Sequence, residues 1–207
     1  MSEEKLFKQP LDQLIIFVKA PRAGGVKTRL AQGIGPEAAT EAYRVLVATL
    51  LQNLAGLSAV ELRFAPDEAT GEIEPWRRKS WRVQPQGQGD LGQRLVGAFA
   101  EAFAGGAQRV VIIGSDCPVV TAPDIADAWT SLLQYDVVLG PATDGGYWLI
   151  GLRSPQPALF QNIHWSTDAV LRETQDRARA AKLTVHLLRR LSDVDTEKDW
   201  QEYLASR

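Results

Sequence analysis

Four cations fall within eleven residues near the start of the chain: Lys19, Arg22, Lys27 and Arg29, in the segment KAPRAGGVKTRL, with no acid among them. Gly24 and Gly25, between them, permit positive φ and let the backbone approach an anion closely. Free N–H groups beside ammonium and guanidinium donors are what a diphosphate needs. A solvated basic turn has the same composition. The spacing is neither the P-loop pattern nor the Rossmann glycine fingerprint, which disfavours an ATPase or a nicotinamide-dependent dehydrogenase.

GSDCP (114–118) directly follows the apolar run RVVII, and its Asp116 is the strongest single candidate. A carboxylate together with diphosphate oxygens is a common way to hold Mg²⁺. Its alternative is a helix or turn cap, a role that Ser115 and Asp124 can also fill. Cys117 has no histidine near it in sequence and reads as a small buried thiol. In GPATDGGYW, Asp144 with Gly145 and Gly146 forms a tight turn that turns N–H groups toward a ligand. A plain hairpin explains the same residues equally well. Tyr147 and Trp148 suit either stacking on a ring or the core. In SDVDTEKD, Thr196 and Asp199 fit a capping box, which leaves Asp193 and Asp195 unexplained. Asp195 is the better candidate for a second metal carboxylate, with a favourable helix-terminus interaction as the rival explanation. His164 is a candidate base or acceptor contact, although a lone histidine is more often structural. The expected site therefore holds Mg²⁺ or Mn²⁺ on Asp116 and Asp195, with Asp144, Gly145, Gly146, Tyr147 and His164 on the acceptor side.

These residues need rigid elements to position them. LIIFV (14–18), Val60–Ala65, Trp81–Gln84, RVVII (109–113), DVVLG (136–140), YWLIGL (147–152) and Thr184–Leu188 read as strands, most of them continuous apolar runs suited to a buried parallel sheet. Helical spacing covers Pro36–Leu57, Asp90–Ala104 with Asp90 as cap, Asp124–Gln134, Ser166–Lys182 and Thr196–Leu204. Glu68–Lys79 suits a short helix. Alternation of strand and helix predicts one α/β domain over 1–207, a mostly parallel sheet flanked by helices, with residues 1–11 flexible. No helix separates DVVLG from YWLIGL, so one of that pair is expected to run antiparallel. In such sheets ligands collect outside the carboxyl ends of the strands, where the three unusual segments fall.

The 207 residues are 45% hydrophobic, and 23 basic residues nearly cancel 25 acidic ones, for a net charge of -2. That balance argues against nucleic acid as the partner, because phosphate neutralisation dominates such binding. One cysteine and two distant histidines form no disulfide framework or zinc pattern. The polar N-terminus is unlike a secretory signal and no run is long enough to span a membrane, so the expected location is cytoplasmic.

KAPRAGGVKTRL, QGDLGQRL, GSDCP, GPATDGGYWLIGL, HWST and DVDTEKDW, in this order, resemble a bacterial family of glycosyltransferase-like proteins across nearly the whole chain. That family resembles the nucleotide-diphospho-sugar transferase fold, the A-type glycosyltransferase sandwich. Lys19, Pro21, Lys27, Thr28, Arg29 and Leu30 also resemble, more distantly, the first loop of lactyl-phospholactate and molybdenum-cofactor guanylyltransferases. The resemblance implies that Lys19, Lys27 and Arg29 meet phosphates and that Asp116 meets the metal; Arg94 of QGDLGQRL is counted with the diphosphate cations. The chain departs from these patterns in two places. AQGIGPEAA stands where many sugar-nucleotide pyrophosphorylases carry a Pro-Lys pair, and GSDCP lacks the D-x-D of many glycosyltransferases. The implied function is a metal-dependent glycosyltransferase joining a nucleotide-sugar donor to a small acceptor. Its rivals are a nucleotidyltransferase that uses an NTP and releases pyrophosphate, and a non-catalytic nucleotide-binding domain.

Overall fold

The computed structural model describes residues 12–206. Residues 1–11, expected to be flexible, lie outside the described residues. Seven strands form one sheet: β1 (Asp12–Lys19), β2 (Val60–Ala65), β3 (Arg82–Pro85), β4 (Arg109–Ile113), β5 (Val137–Pro141), β6 (Tyr147–Leu152) and β7 (Val185–Leu187). Their order across the sheet is β3-β2-β1-β4-β6-β5-β7. The helices are α1 (Thr28–Ile34), α2 (Pro36–Asn53), α3 (Thr70–Ile73), α4 (Leu91–Ala104), α5 (Ala122–Ser131), α6 (Val170–Ala180) and α7 (Glu197–Ala205). No helix among the described residues is long and apolar enough to cross a membrane.

β1 is apolar on both faces because both faces are covered. Leu14, Ile16 and Val18 join the core that includes α2 and α5, while Ile15 and Phe17 join the core that includes α4. Ile15 and Ile16 are fully buried, and each such side chain is worth about 1.5–3 kcal/mol relative to exposure. Asp90 caps α4 through a capping box with Gln93, its carboxylate accepting from Gln93 N at 2.8 Å.

The topology gathers the loops. β1 pairs in parallel with both β2 and β4, and Ile16 lies beside Ile113. The chain leaves β1 toward β2 but leaves β4 toward β5 and β6 on the other side, so a crevice opens between the two strand ends. β6 runs antiparallel to both β4 and β5. Its amino-terminal end therefore lies at the same rim, and so does the turn before it.

Two segments differ from the sequence reading. Thr28–Ile34 is a helix rather than part of the loop, held by Leu30 against Ala39 and Ala42. The helix expected from Ser166 starts only at Val170. Ser166 has φ +65, and Thr167 Oγ1 donates to His164 O at 2.7 Å and accepts from Ala169 N at 3.3 Å. These local side-chain bonds compete with the helical ladder.

Candidate active site

A cavity of about 880 Å³ opens at the carboxyl ends of β1 and β4. Tyr43 of α2 fixes the two ends relative to each other. Its hydroxyl accepts from Lys19 N at 2.8 Å and shares a 2.9 Å hydrogen bond with Ser115 Oγ. Burial raises the Tyr43 pKa, which keeps the phenol neutral.

The basic connection after β1 turns tightly, with Gly25 N donating to Arg22 O at 2.9 Å and Gly24 at φ +76. Lys27, just before α1, is left-handed at φ 48, ψ 45. That geometry directs its side chain inward, where it is 2% exposed. The ammonium forms an ion pair with Asp116 and donates to Asp195 Oδ1 at 3.0 Å. Burial opposes the charged ammonium, but the attraction of Asp116 and Asp195 outweighs it, and the Lys27 pKa lies above the ordinary lysine value. Arg29 reaches Asp195 Oδ2 at 3.7 Å from a more exposed position.

Asp195 arrives from the far end of the chain because its segment is pinned to the strand tips. Leu191 N donates to Pro141 O at 3.0 Å, and Val194 N donates to Asp116 O at 3.0 Å. Thr196 and Asp199 form the capping box of α7, so the Asp195 carboxylate is free to face Lys27. Asp193 shares the cluster. Burial first, then repulsion from Asp116, Asp195 and Asp144, pushes its carboxyl up to about 7, partly offset by Lys27. Among the described residues, Asp116, Asp144, Asp193 and Asp195 share the cleft with Lys19, Lys27 and Arg29. Carboxylates outnumber cations.

Among the described residues, no group of three or more His, Cys, Asp or Glu side chains stands close enough to hold a metal alone. Mg²⁺ rarely needs such a cage: it keeps waters and takes one or two carboxylates plus substrate phosphates. Two carboxylates converging on one ammonium, amid surplus negative charge, fit such an ion.

Lys19, Lys27, Arg29, Asp116, Asp144, Gly146, Tyr147 and Asp195 all line the cavity. Ser115, Cys117, Trp148 and Asp193 line it as well, whereas the remaining site candidates stand apart from it. Arg22 turns away to Glu72 at 2.6 Å and Glu68 at 3.1 Å. Gly24 and Gly25 shape the loop behind the lining. Arg94 braces Gly89 O at 2.9 Å and Gln86 Oε1 at 3.4 Å. Gly145 lies beneath the rim: a Cβ there would come 2.2 Å from Asp168 O, and its φ is +90. His164 is 77% exposed and bonds Glu173 Oε1 at 2.8 Å. Cys117 is buried at the cavity wall, and burial with Asp193 nearby pushes its thiol up to about 12, which disfavours the thiolate. Sequence reasoning missed Gln86, Leu91, Trp165 and Asp168, all of which line the cavity. HWST had flagged the neighbourhood, but reading Ser166 onward as helix hid Asp168.

The chain is 37% identical to a candidate nucleotide-diphospho-sugar transferase from Desulfovibrio desulfuricans G20, with a TM-score of 0.84 over 90% of this chain and 83% of that one. A Mycobacterium tuberculosis H37Rv protein crystallised with manganese, 14% identical, shares the fold alone, with a TM-score of 0.59 over 95% of this chain and 99% of that one. A phosphoenolpyruvate guanylyltransferase from Chloroflexus aggregans (strain MD-66 / DSM 9485) is 30% identical over 119 residues, which is 56% of this chain. The chain spans 58% of the length of that relative. The fold is that of the nucleotide-diphospho-sugar transferases: a mostly parallel sheet flanked by helices. A family model matches residues 49–167, and the chain belongs to that family, described as "Uncharacterized protein conserved in bacteria (DUF2064)".

Proposed function

We propose that this chain transfers a glycosyl group from a nucleotide-diphospho-sugar donor to the hydroxyl of a small acceptor. One observation carries the reading: the cations that line the cleft, Lys19, Lys27 and Arg29, all come from one short stretch that runs from the end of β1 into the first turn of α1. The same cleft also offers the Asp168 carboxylate among apolar side chains that include Leu91, Leu95 and Trp165. Such a cleft suits one anionic end, a diphosphate, and a second substrate without phosphate. The 37% identity to a candidate transferase of this class supports the same assignment.

In the reaction, the acceptor oxygen bonds the anomeric carbon as the bond from that carbon to the diphosphate oxygen breaks. The electron pair leaves with the nucleoside diphosphate, and the hydroxyl proton passes to an acceptor-side carboxylate. Lys27 and Arg29 stabilise the charge gathering on the leaving group, and fixed charges of this kind are commonly the largest catalytic contribution. Asp116 and Asp195 would hold Mg²⁺ or Mn²⁺, which when bound supplies further neutralisation of the diphosphate. Tyr43 and the Asp116–Val194 backbone bond keep these groups in place before substrate arrives.

Nucleotidyl transfer is the second reading, favoured by the 30% identity to a guanylyltransferase. The two differ in what is released. Incubation with a panel of sugar nucleotides and NTPs, each with Mg²⁺ and a mixture of small alcohols, should release a nucleoside diphosphate. Release of pyrophosphate from an NTP would replace the first reading with the second. Tight nucleotide binding without turnover of any compound would leave a binding domain.

A further inference from the structure

Trp165, Ser166 and Asp168 line the same cleft in the stretch before α6. Among the described residues, the Trp165 indole N–H, the Ser166 hydroxyl and the Asp168 carboxylate make no hydrogen bond or ion pair. The indole is nevertheless held in place. It lies on the first turn of α4, where a Cβ on Gly92 would come within 3.0 Å of its Nε1. Leu91, 44% exposed, stands beside Gly92 at the mouth of the cleft and extends the apolar surface. Ser166 keeps a left-handed φ of +65, a conformation that costs a non-glycine residue energy and persists where the surroundings hold it. The loop is further fixed to the glycine turn, with Leu171 N donating to Gly145 O at 2.9 Å.

We infer that Trp165, Ser166 and Asp168 form the acceptor subsite, and that it takes an uncharged, hydroxyl-bearing compound with an apolar ring face. The inference rests on the glycosyl-transfer reading above. The indole face offers stacking, and its N–H with the Ser166 hydroxyl and Asp168 carboxylate offers the directional bonds that a polyol satisfies. A phosphorylated or carboxylated acceptor would meet the Asp168 carboxylate at this stretch, and like charges at close range repel. The acceptor chemistry is therefore opposite to that of a phosphoenolpyruvate-type substrate.

Calorimetric titration of the full chain tests this with three probes: 4-nitrophenyl β-glucoside, glucose 6-phosphate and phosphoenolpyruvate. The neutral aryl glucoside should bind and the two anions should not. Trp165→Ala should weaken the glucoside about tenfold, the scale of a lost ring contact, and Trp165→Phe should restore most of it. Asp168→Asn should let the anions bind. Binding of either anion more tightly than the glucoside, no glucoside binding at all, or equal affinity in Trp165→Ala would overturn the assignment. A parallel titration with GDP and Mg²⁺ separates the two levels. Nucleotide binding without glucoside binding sinks the subsite and leaves the donor reading standing; glucoside binding with no nucleotide bound by any variant sinks the donor reading instead.

Discussion

Among the described residues, two buried charge clusters differ in their surroundings, and only one of them borders the cleft. On β2, Glu61 and Arg63 are each 2% exposed. Arg63 Nε bonds Glu61 Oε1 at 2.5 Å and its Nη2 bonds Glu101 Oε2 at 2.7 Å, while Gln84 also donates to Glu61 Oε1 at 2.8 Å and Gln13 donates to Glu61 Oε2 at 3.3 Å. Every strong acceptor there has a donor, and neither residue lines the cleft. At the tips of β1 and β4, Lys27 is as deeply buried, yet it faces more carboxylates than it can neutralise and borders an open cavity. Burial alone therefore does not mark a site. Unbalanced charge with access to a ligand does.

Substitutions at the two clusters should split cleanly. Asp116→Asn should lower turnover about 100-fold or more, the scale of losing one preorganised electrostatic partner. It should leave stability nearly intact, because it also relieves repulsion on Asp193. Arg63→Met should do the reverse. Stranding Glu61 should cost about 3–5 kcal/mol of stability, with nucleotide affinity of the folded protein unchanged. Urea unfolding and donor consumption on both variants decide the matter. A stability loss in Asp116→Asn matching that of Arg63→Met would erase the distinction.

How much of this was legible in the sequence depended on the range of the signal. The strands were readable because burial on both faces leaves continuous apolar runs, as in LIIFV and RVVII; Asp90 was readable as a cap, and Thr196 announced its capping box through Asp199, three places on. The place of Asp116 in the cavity lining was readable because it stands just past a buried strand, at the end where such sheets open a crevice. What the sequence did not display was pairing across 168 residues: that Lys27 meets Asp195 depends on backbone bonds from Leu191 and Val194 to the tips of β5 and β4. The same blindness made Arg22 resemble its neighbours, when Glu68 and Glu72 of the next connection hold it elsewhere. The Trp165–Asp168 stretch was concealed because Thr167 breaks the helix by side-chain bonds that helical spacing does not reveal.

The lysine at the heart of the unbalanced cluster can sharpen the contrast. Lys27→Met removes the one buried cation shared by Asp116 and Asp195. Without it, those carboxylates should bind Mn²⁺ in the absence of nucleotide about tenfold more tightly than in the wild type, since a close positive charge has been taken away. Affinity for GDP should fall at the same time. Electron paramagnetic resonance of free Mn²⁺ reads the first and calorimetry the second. Unchanged or weaker Mn²⁺ binding would mean that the two carboxylates do not serve a metal.

Gly145→Ala probes the rim of the same cleft. A Cβ there would overlap Asp168 O, at 2.2 Å, and φ +90 disfavours any side chain. The strain should cost about 1–3 kcal/mol and displace the Asp168 segment, so the acceptor KM should rise while nucleotide affinity holds. Equal loss of both would place Gly145 in general folding instead.

The smallest effect is expected at a third ion pair, which is balanced like the β2 cluster but far less enclosed. Arg189 Nε bonds Asp124 Oδ1 at 2.6 Å and its Nη2 bonds Oδ2 at 2.8 Å. Burial pushes the Asp124 carboxyl up, but Arg189 and the Thr121 bonds outweigh it and hold the pKa below the ordinary 3.8. A carboxyl whose pKa is lower in the folded than in the unfolded chain stabilises the fold above its unfolded value, and that contribution fades as pH falls through the folded one. Asp124→Asn keeps a capping side chain without the charge, so it should be less stable than the wild type near neutral pH. The gap should close in acid below the ordinary value. Urea midpoints across that range measure it, and a gap that stays constant or widens in acid would show that the charge of Asp124 contributes nothing. Because Asp124 lies outside the cleft, turnover at neutral pH should stay at the wild-type level, which is what separates a balanced pair from the unbalanced cluster around Lys27.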